Sequence, residues 1–104
     1  MAEQRLDIVD HVALSVANIA QSVQWYQTSF NCRLLIEEKT FAVLEFGNLR
    51  VTLVLPSQQP PHIAFARADA ATLGELREQV DGLQSTFISD PTGNPIEILS
   101  AGVE

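Results

Sequence analysis

One self-similarity constrains this chain more than any other feature. HVALSVAN, from His11 to Asn18, returns as HIAFARAD, from His62 to Asp69, 51 residues later. Both segments read His, β-branched residue, Ala, large apolar residue, two variable positions, Ala and a helix-capping residue. The pair Gly47-Asn48 recurs as Gly93-Asn94 at a spacing of 46, so the second copy is five residues shorter between these landmarks. In a chain of 104 residues this implies a single domain, 1–104, built from two copies of one module. The first module covers about residues 7–55 and the second about 62–100, joined by PSQQPP at 56–61. Each Pro there fixes φ and biases its predecessor toward extended backbone, so the joint is short and stiff.

Periodicity defines the module. From Ile8 to Val16, Val12, Leu14 and Val16 alternate with His11, Ala13 and Ser15, which predicts a strand with one strongly apolar face. Asn18 caps a helix whose stripe is Ile19, Val23, Tyr26 and Phe30, and Asn31 is expected to close it in a left-handed conformation. Strands follow at 33–38, 41–46 and 49–55, with Gly47-Asn48 as a tight turn, so the module is βαβββ. The second copy predicts a strand at 62–67 and a helix capped by Asp69, with Leu73, Leu76 and Val80 inward and Gly82 at its end. Only 83–89 and 95–99 remain as strands, so one strand is missing or vestigial and the rim of any pocket is cut back. The class is α+β, two βαβββ modules with the second one shortened.

Composition narrows the partners. Thirteen Asp and Glu against six scattered Lys and Arg give a net charge of −7, the opposite of a nucleic-acid footprint and unsuited to anionic membrane surfaces. The same charge tolerates small neutral or cationic ligands. Cys32 is the single cysteine, which excludes an internal disulfide or a cysteine metal cluster and fits a reducing compartment. Residues 1–7 lack the basic start and apolar run of a signal peptide, and no apolar run reaches the ~20 residues of a membrane span, so a cytoplasmic protein is expected.

The residues that carry chemistry follow from the repeat. Each module opens with a His on the strand face opposite the apolar residues, flanked by Ala13 and Ser15 in one copy and by Ala64 and Ala66 in the other. Small neighbours leave room beside an imidazole, and two modules related by a pseudo-twofold bring equivalent residues toward one axis. A strand-start His can also do no more than bond to backbone, but these two are the only His of the chain and sit at matched positions. Glu97, in DPTGNPIEIL from Asp90 to Leu99, alternates with Ile96 and Ile98, the pattern equally of a solvent-facing Glu on a half-buried strand. Two imidazoles and a carboxylate make a facial set with open positions, suited to Fe(II), Mn(II), Ni(II) or Zn(II). His11, His62 and Glu97 are therefore the candidate ligands. Tyr26 and Trp25 read as helix-stripe residues of the core.

DHVALSVANIAQSVQWYQTSF, from Asp10 to Phe30, and DPTGNPIEIL together resemble the two ends of a vicinal oxygen chelate protein, the superfamily of glyoxalases, bleomycin resistance proteins and extradiol dioxygenases. The resemblance covers Asp10 to Leu99 and implies paired βαβββ units curled into a cup-shaped mixed sheet, helices outside, around a divalent metal. The family ligands fall on His11, His62 and Glu97. It further implies a metal-dependent enzyme acting on a small substrate with vicinal oxygens, by lyase, isomerase or dioxygenase chemistry, and a homodimer. The alternative is a metal-free protein that sequesters a small molecule, as bleomycin resistance proteins do.

Departures from the pattern set further expectations. Glyoxalase-like members take a fourth ligand from the fourth strand of the first module, where this chain reads LRVTLVL with Val51 or Leu53 at the positions expected to point inward. Neither donates an oxygen. Glu45 lies on the preceding strand and reads as an exposed or ion-paired carboxylate.

Overall fold

The computed structural model describes residues 6–79 and 82–100. Its elements are β1 (Ile8–Ser15), α1 (Ile19–Ser29), β2 (Arg33–Glu37), β3 (Phe41–Glu45), β4 (Arg50–Val54), β5 (His62–Arg67), a 3-10 turn (Ala70–Thr72), β6 (Arg77–Glu78), β7 (Gln84–Ser89) and β8 (Pro95–Ser100). The expected strands are all present, each within a residue or two of its expected ends. Two compact units result, one from His11 to Ile63 and the other from the described residues up to Asp10 and from Ala64 onward. The division falls inside β1 and β5, so each of these strands contributes to both units.

In the first unit the strands lie in the order β2-β3-β4-β1. β1 runs parallel to β4, while β3 is antiparallel to both β2 and β4, which makes this sheet mixed. Helix α1 crosses one face, burying Ile19 and Val23 against Ala42, Leu44 and Leu53, with Leu14 and Val51 packed beside them. The apolar alternation of β1 is thus the helix-facing side, as its sequence implies. α1 starts where expected because Asn18, in extended backbone, accepts a hydrogen bond at Oδ1 from the Gln21 amide at 2.9 Å. Asn18→Ala should cost about 1 kcal/mol, the usual value of a lost N-cap, read as a shift in urea midpoint at constant slope.

The helix ends differently from expectation. Phe30 is extended and donates its N–H to the Tyr26 carbonyl at 2.9 Å, and no residue but Gly has positive φ among the described residues. Asn31 therefore supplies no left-handed cap. The chain passes straight from an extended Phe30 into β2, leaving no turn for such a residue to make.

The second unit has the strand order β5-β8-β7-β6, with β7 antiparallel to β8 and to β6. Among the described residues its expected helix is absent, and only the 3-10 turn Ala70–Thr72 forms. Asp69 makes no side-chain cap, because Arg67 holds its carboxylate at two points, Nε to Oδ1 at 2.8 Å and Nη2 to Oδ2 at 2.9 Å. That guanidinium also holds the Asp69 carboxyl below the usual carboxylate range. Gly74 follows two residues after the 3-10 turn. A Cβ there would run into the Thr86 hydroxyl, and Gly is a poor helix former besides. Leu73 is exposed instead of core-facing, Arg77 and Glu78 pair with Ser85 and Gln84 as the vestigial β6, and Val80 lies outside the described residues. Gly82 is left-handed, φ 84°, in the turn between β6 and β7. Among the described residues no helix is long and apolar enough to cross a membrane.

Candidate metal centre

In the first unit, alternation along β1 places His11 and Ala13 on the face away from α1, and both are buried. His62, at the start of β5 and within the same unit, is also buried. The two rings meet edge to face with centroids 5.6 Å apart, so the structure brings together the two residues that open the repeats. Neither is an isolated strand-start His.

The His62 ring is oriented by the linker. Its Nδ1 lies 2.8 Å from the Pro60 carbonyl oxygen. A carbonyl only accepts, so Nδ1 carries the proton and donates, which leaves Nε2 as the nitrogen with a lone pair to offer. A backbone carbonyl fixing the tautomer of a ligating His is the usual companion of a metal site. PSQQPP thus does more than join the modules. Sequence alone held only a weak signal for this contact, a Pro two residues before a His.

Glu97 sits in β8, in the second unit, and is 2% exposed. The reading of a solvent-facing Glu is thereby set aside. Ser85 Oγ, itself fully buried, donates to Glu97 Oε2 at 2.7 Å, and Phe87 is the Cα partner of Glu97 across the ladder. A buried carboxylate is tolerable only when such bonds replace its water. The preceding hairpin fixes the strand. Asp90 Oδ1 accepts the amides of Thr92 and Asn94, Oδ2 accepts from Asn94 Nδ2, and these bonds, that of the Asn94 side chain foremost, keep its carboxyl below the usual range. Gly93, φ 99°, takes a conformation that side chains resist.

The expected fourth position requires correction. β4 pairs with β1 in the register His11↔Arg50, Ala13↔Thr52 and Ser15↔Val54, so Arg50 and Thr52 share the His11 face while Val51 and Leu53 point to α1. Leu53 is wholly buried in the helix-side core. The rule that puts His11 opposite the apolar residues of β1 holds equally for LRVTLVL, whose Val51, Leu53 and Leu55 form the apolar series. Glu45 is the Cα partner of Arg50 and is ion-paired to Arg33 Nη1 at 3.2 Å, with both partners substantially exposed. Trp25 also departs from its core reading. It is 56% exposed and stands edge to face on Tyr26 and Phe30.

Solved structures share this fold at low identity. Methylmalonyl-CoA epimerase from Mycobacterium tuberculosis superposes with a TM-score of 0.74 at 19% identity, over 99% of this chain and 94% of that one. A hypothetical protein from Bacillus halodurans gives 0.71 at 18%, over 96% and 98%. A protein described as an NAD-dependent benzaldehyde dehydrogenase from Legionella pneumophila gives 0.64 at 16%, over 86% and 96%. No curated protein matches the sequence. The family profile of the Glyoxalase/Bleomycin resistance protein/Dioxygenase superfamily matches residues 8–84, and the chain belongs to that superfamily.

Proposed function

We propose that this chain is a small enzyme dependent on one divalent transition metal, held by His11, His62 and Glu97, and acting on a small substrate with vicinal oxygens. The observation that carries the reading is the His11–His62 pair, in which the Pro60 carbonyl fixes the His62 tautomer so that Nε2 faces the task of a ligand. The donor set fits such an ion. All three residues are buried, each offers one ligand atom, and two imidazoles with one carboxylate suit Fe(II), Mn(II), Ni(II) or Zn(II). When bound, the metal supplies Lewis acidity toward a substrate that chelates it through adjacent oxygens. The protein's part is to hold the imidazoles by β1 and β5 and to present the carboxylate with the Ser85 hydroxyl bonded to it.

The metal-free reading is less favoured. Sequestration of a cationic molecule suits the net charge, yet Arg50 places a cation on the His11 face. Equilibrium dialysis of chelator-stripped protein against Mn(II) separates the two readings. One ion retained per chain, with Glu97→Gln retaining it more weakly, is the expected result. No saturable uptake by the wild type would leave the metal-free binding protein.

A further inference from the structure

We propose that the substrate carries an uncharged apolar arm, an alkyl chain of medium length, which lies on the row of side chains next to His11 and runs from β1 toward β2. This deepens the reading of His11 as a metal ligand and rests on it. Strand register in the first unit divides the His11 face into rows, because Cα partners in a ladder project from the same side. Arg33, Glu45, Arg50 and His11 are successive partners across β2, β3, β4 and β1, and this row is charged, with Arg33 and Glu45 ion-paired at 3.2 Å. The next row on the same face is Ile36, Val43, Thr52 and Ala13. It contains no charged side chain.

Exposure rises along this second row. Ala13 is 1% exposed, Thr52 and Val43 are half-buried, and Ile36 is 41% exposed. These side chains point away from the helix-side core, and the apolar surface they leave in water is removed from it when an alkyl chain lies on them. A charged arm would give up its own water there and find no partner in the row. The distances set the length of the arm. Neighbouring strands stand about 4.8 Å apart and two residues along a strand span about 6.6 Å, so Val43 lies about 12 Å from His11, backbone to backbone. A medium-length chain attached to the chelating oxygens reaches it, and a methyl group does not.

Hydroxamates, whose carbonyl and hydroxyl oxygens sit on adjacent atoms, are suitable probes. Wild type, Val43→Thr and Thr52→Val are titrated with Ni(II), and the Ni(II)-loaded proteins are then titrated with acetohydroxamate and separately with octanohydroxamate by calorimetry. Wild type should bind octanohydroxamate about tenfold or more tightly than acetohydroxamate, the gain expected from burying about two methylene groups. Val43→Thr places a hydroxyl under the chain and should lower that preference about threefold or more, while Thr52→Val removes one and should raise it by a similar factor. Acetohydroxamate affinity should be the same in all three proteins. Equal affinity of wild type for the two probes overturns the proposal, as does a preference that Thr52→Val leaves unchanged or a shift equal for both probes. If Val43→Thr has no cooperative urea transition, Thr52→Val alone decides. If wild type takes up no Ni(II), the metal reading has failed and both probes are titrated into the metal-free proteins. Octanohydroxamate binding that Thr52→Val strengthens then sustains the apolar row, and no binding overturns it.

Discussion

Thr52→Glu and Leu53→Glu, one residue apart, should have opposite and large effects. Thr52 shares the His11 face through its pairing with Ala13, so a carboxylate there reaches toward the imidazole and adds an anionic oxygen to the donor set. Ni(II) affinity should rise by about tenfold or more, the scale on which single oriented groups contribute to metal sites. Leu53 is fully buried on the opposite face, against Ile19 and Val23 of α1. A Glu there forfeits the Leu packing and buries an unpaired charge, a loss of about 3–5 kcal/mol or more where whole domains have roughly 5–15. Urea denaturation and Ni(II) calorimetry on both variants read this out. A stable Leu53→Glu protein with tightened Ni(II) binding would mean that the faces of β4 are the reverse of those described.

Ser85→Ala should produce the second large effect. The Ser85 hydroxyl donates at 2.7 Å to a Glu97 carboxylate that is 2% exposed, and both sit in a ladder whose register is fixed by the Asp90 hairpin. Deleting a hydrogen bond to a charged group inside a protein costs about 1.5–3 kcal/mol. The carboxylate loses its orientation as well as a partner, so metal affinity should fall by about 10–100-fold, as for other outer-shell deletions. Ser85→Thr keeps the hydroxyl and should recover part of the metal affinity even if its extra methyl costs stability. If Ser85→Ala loses stability and keeps full metal affinity, Ser85 serves the fold only.

Sequence carried the first module well because local and tertiary preferences agree there. The β1 alternation, the Asn18 cap and the Ile19, Val23 spacing all point to the same buried face, and the structure uses it. In the second module they conflict. Leu73 and Leu76 have helical spacing and Asp69 is a good cap by type, yet Arg67, two residues earlier on β5, captures that carboxylate, and Gly74, a poor helix former, lies close against Thr86. A propensity summed along the chain contains neither contact. The face of β4 is hard to read from sequence for another reason. Which side of LRVTLVL meets His11 depends on the parallel register with β1, a pairing distant in sequence, although the apolar series Val51, Leu53, Leu55 already marked the core side. The repeat made His11 and His62 legible as a pair. The Pro60 carbonyl that orients His62 is a backbone atom, for which a Pro two residues before the His is only a weak signal.

His11, His62 and Glu97 are proposed to hold one divalent ion. Calorimetric titration of Ni(II) into metal-free wild type, His11→Ala, His62→Ala and Glu97→Gln tests it most directly. Wild type should show a single site per chain, both His variants should lose saturable binding, and Glu97→Gln, whose neutral amide no longer offsets the charge of the ion, should bind more weakly. Wild type without a saturable site, or His11→Ala binding Ni(II) as tightly as wild type, would contradict it.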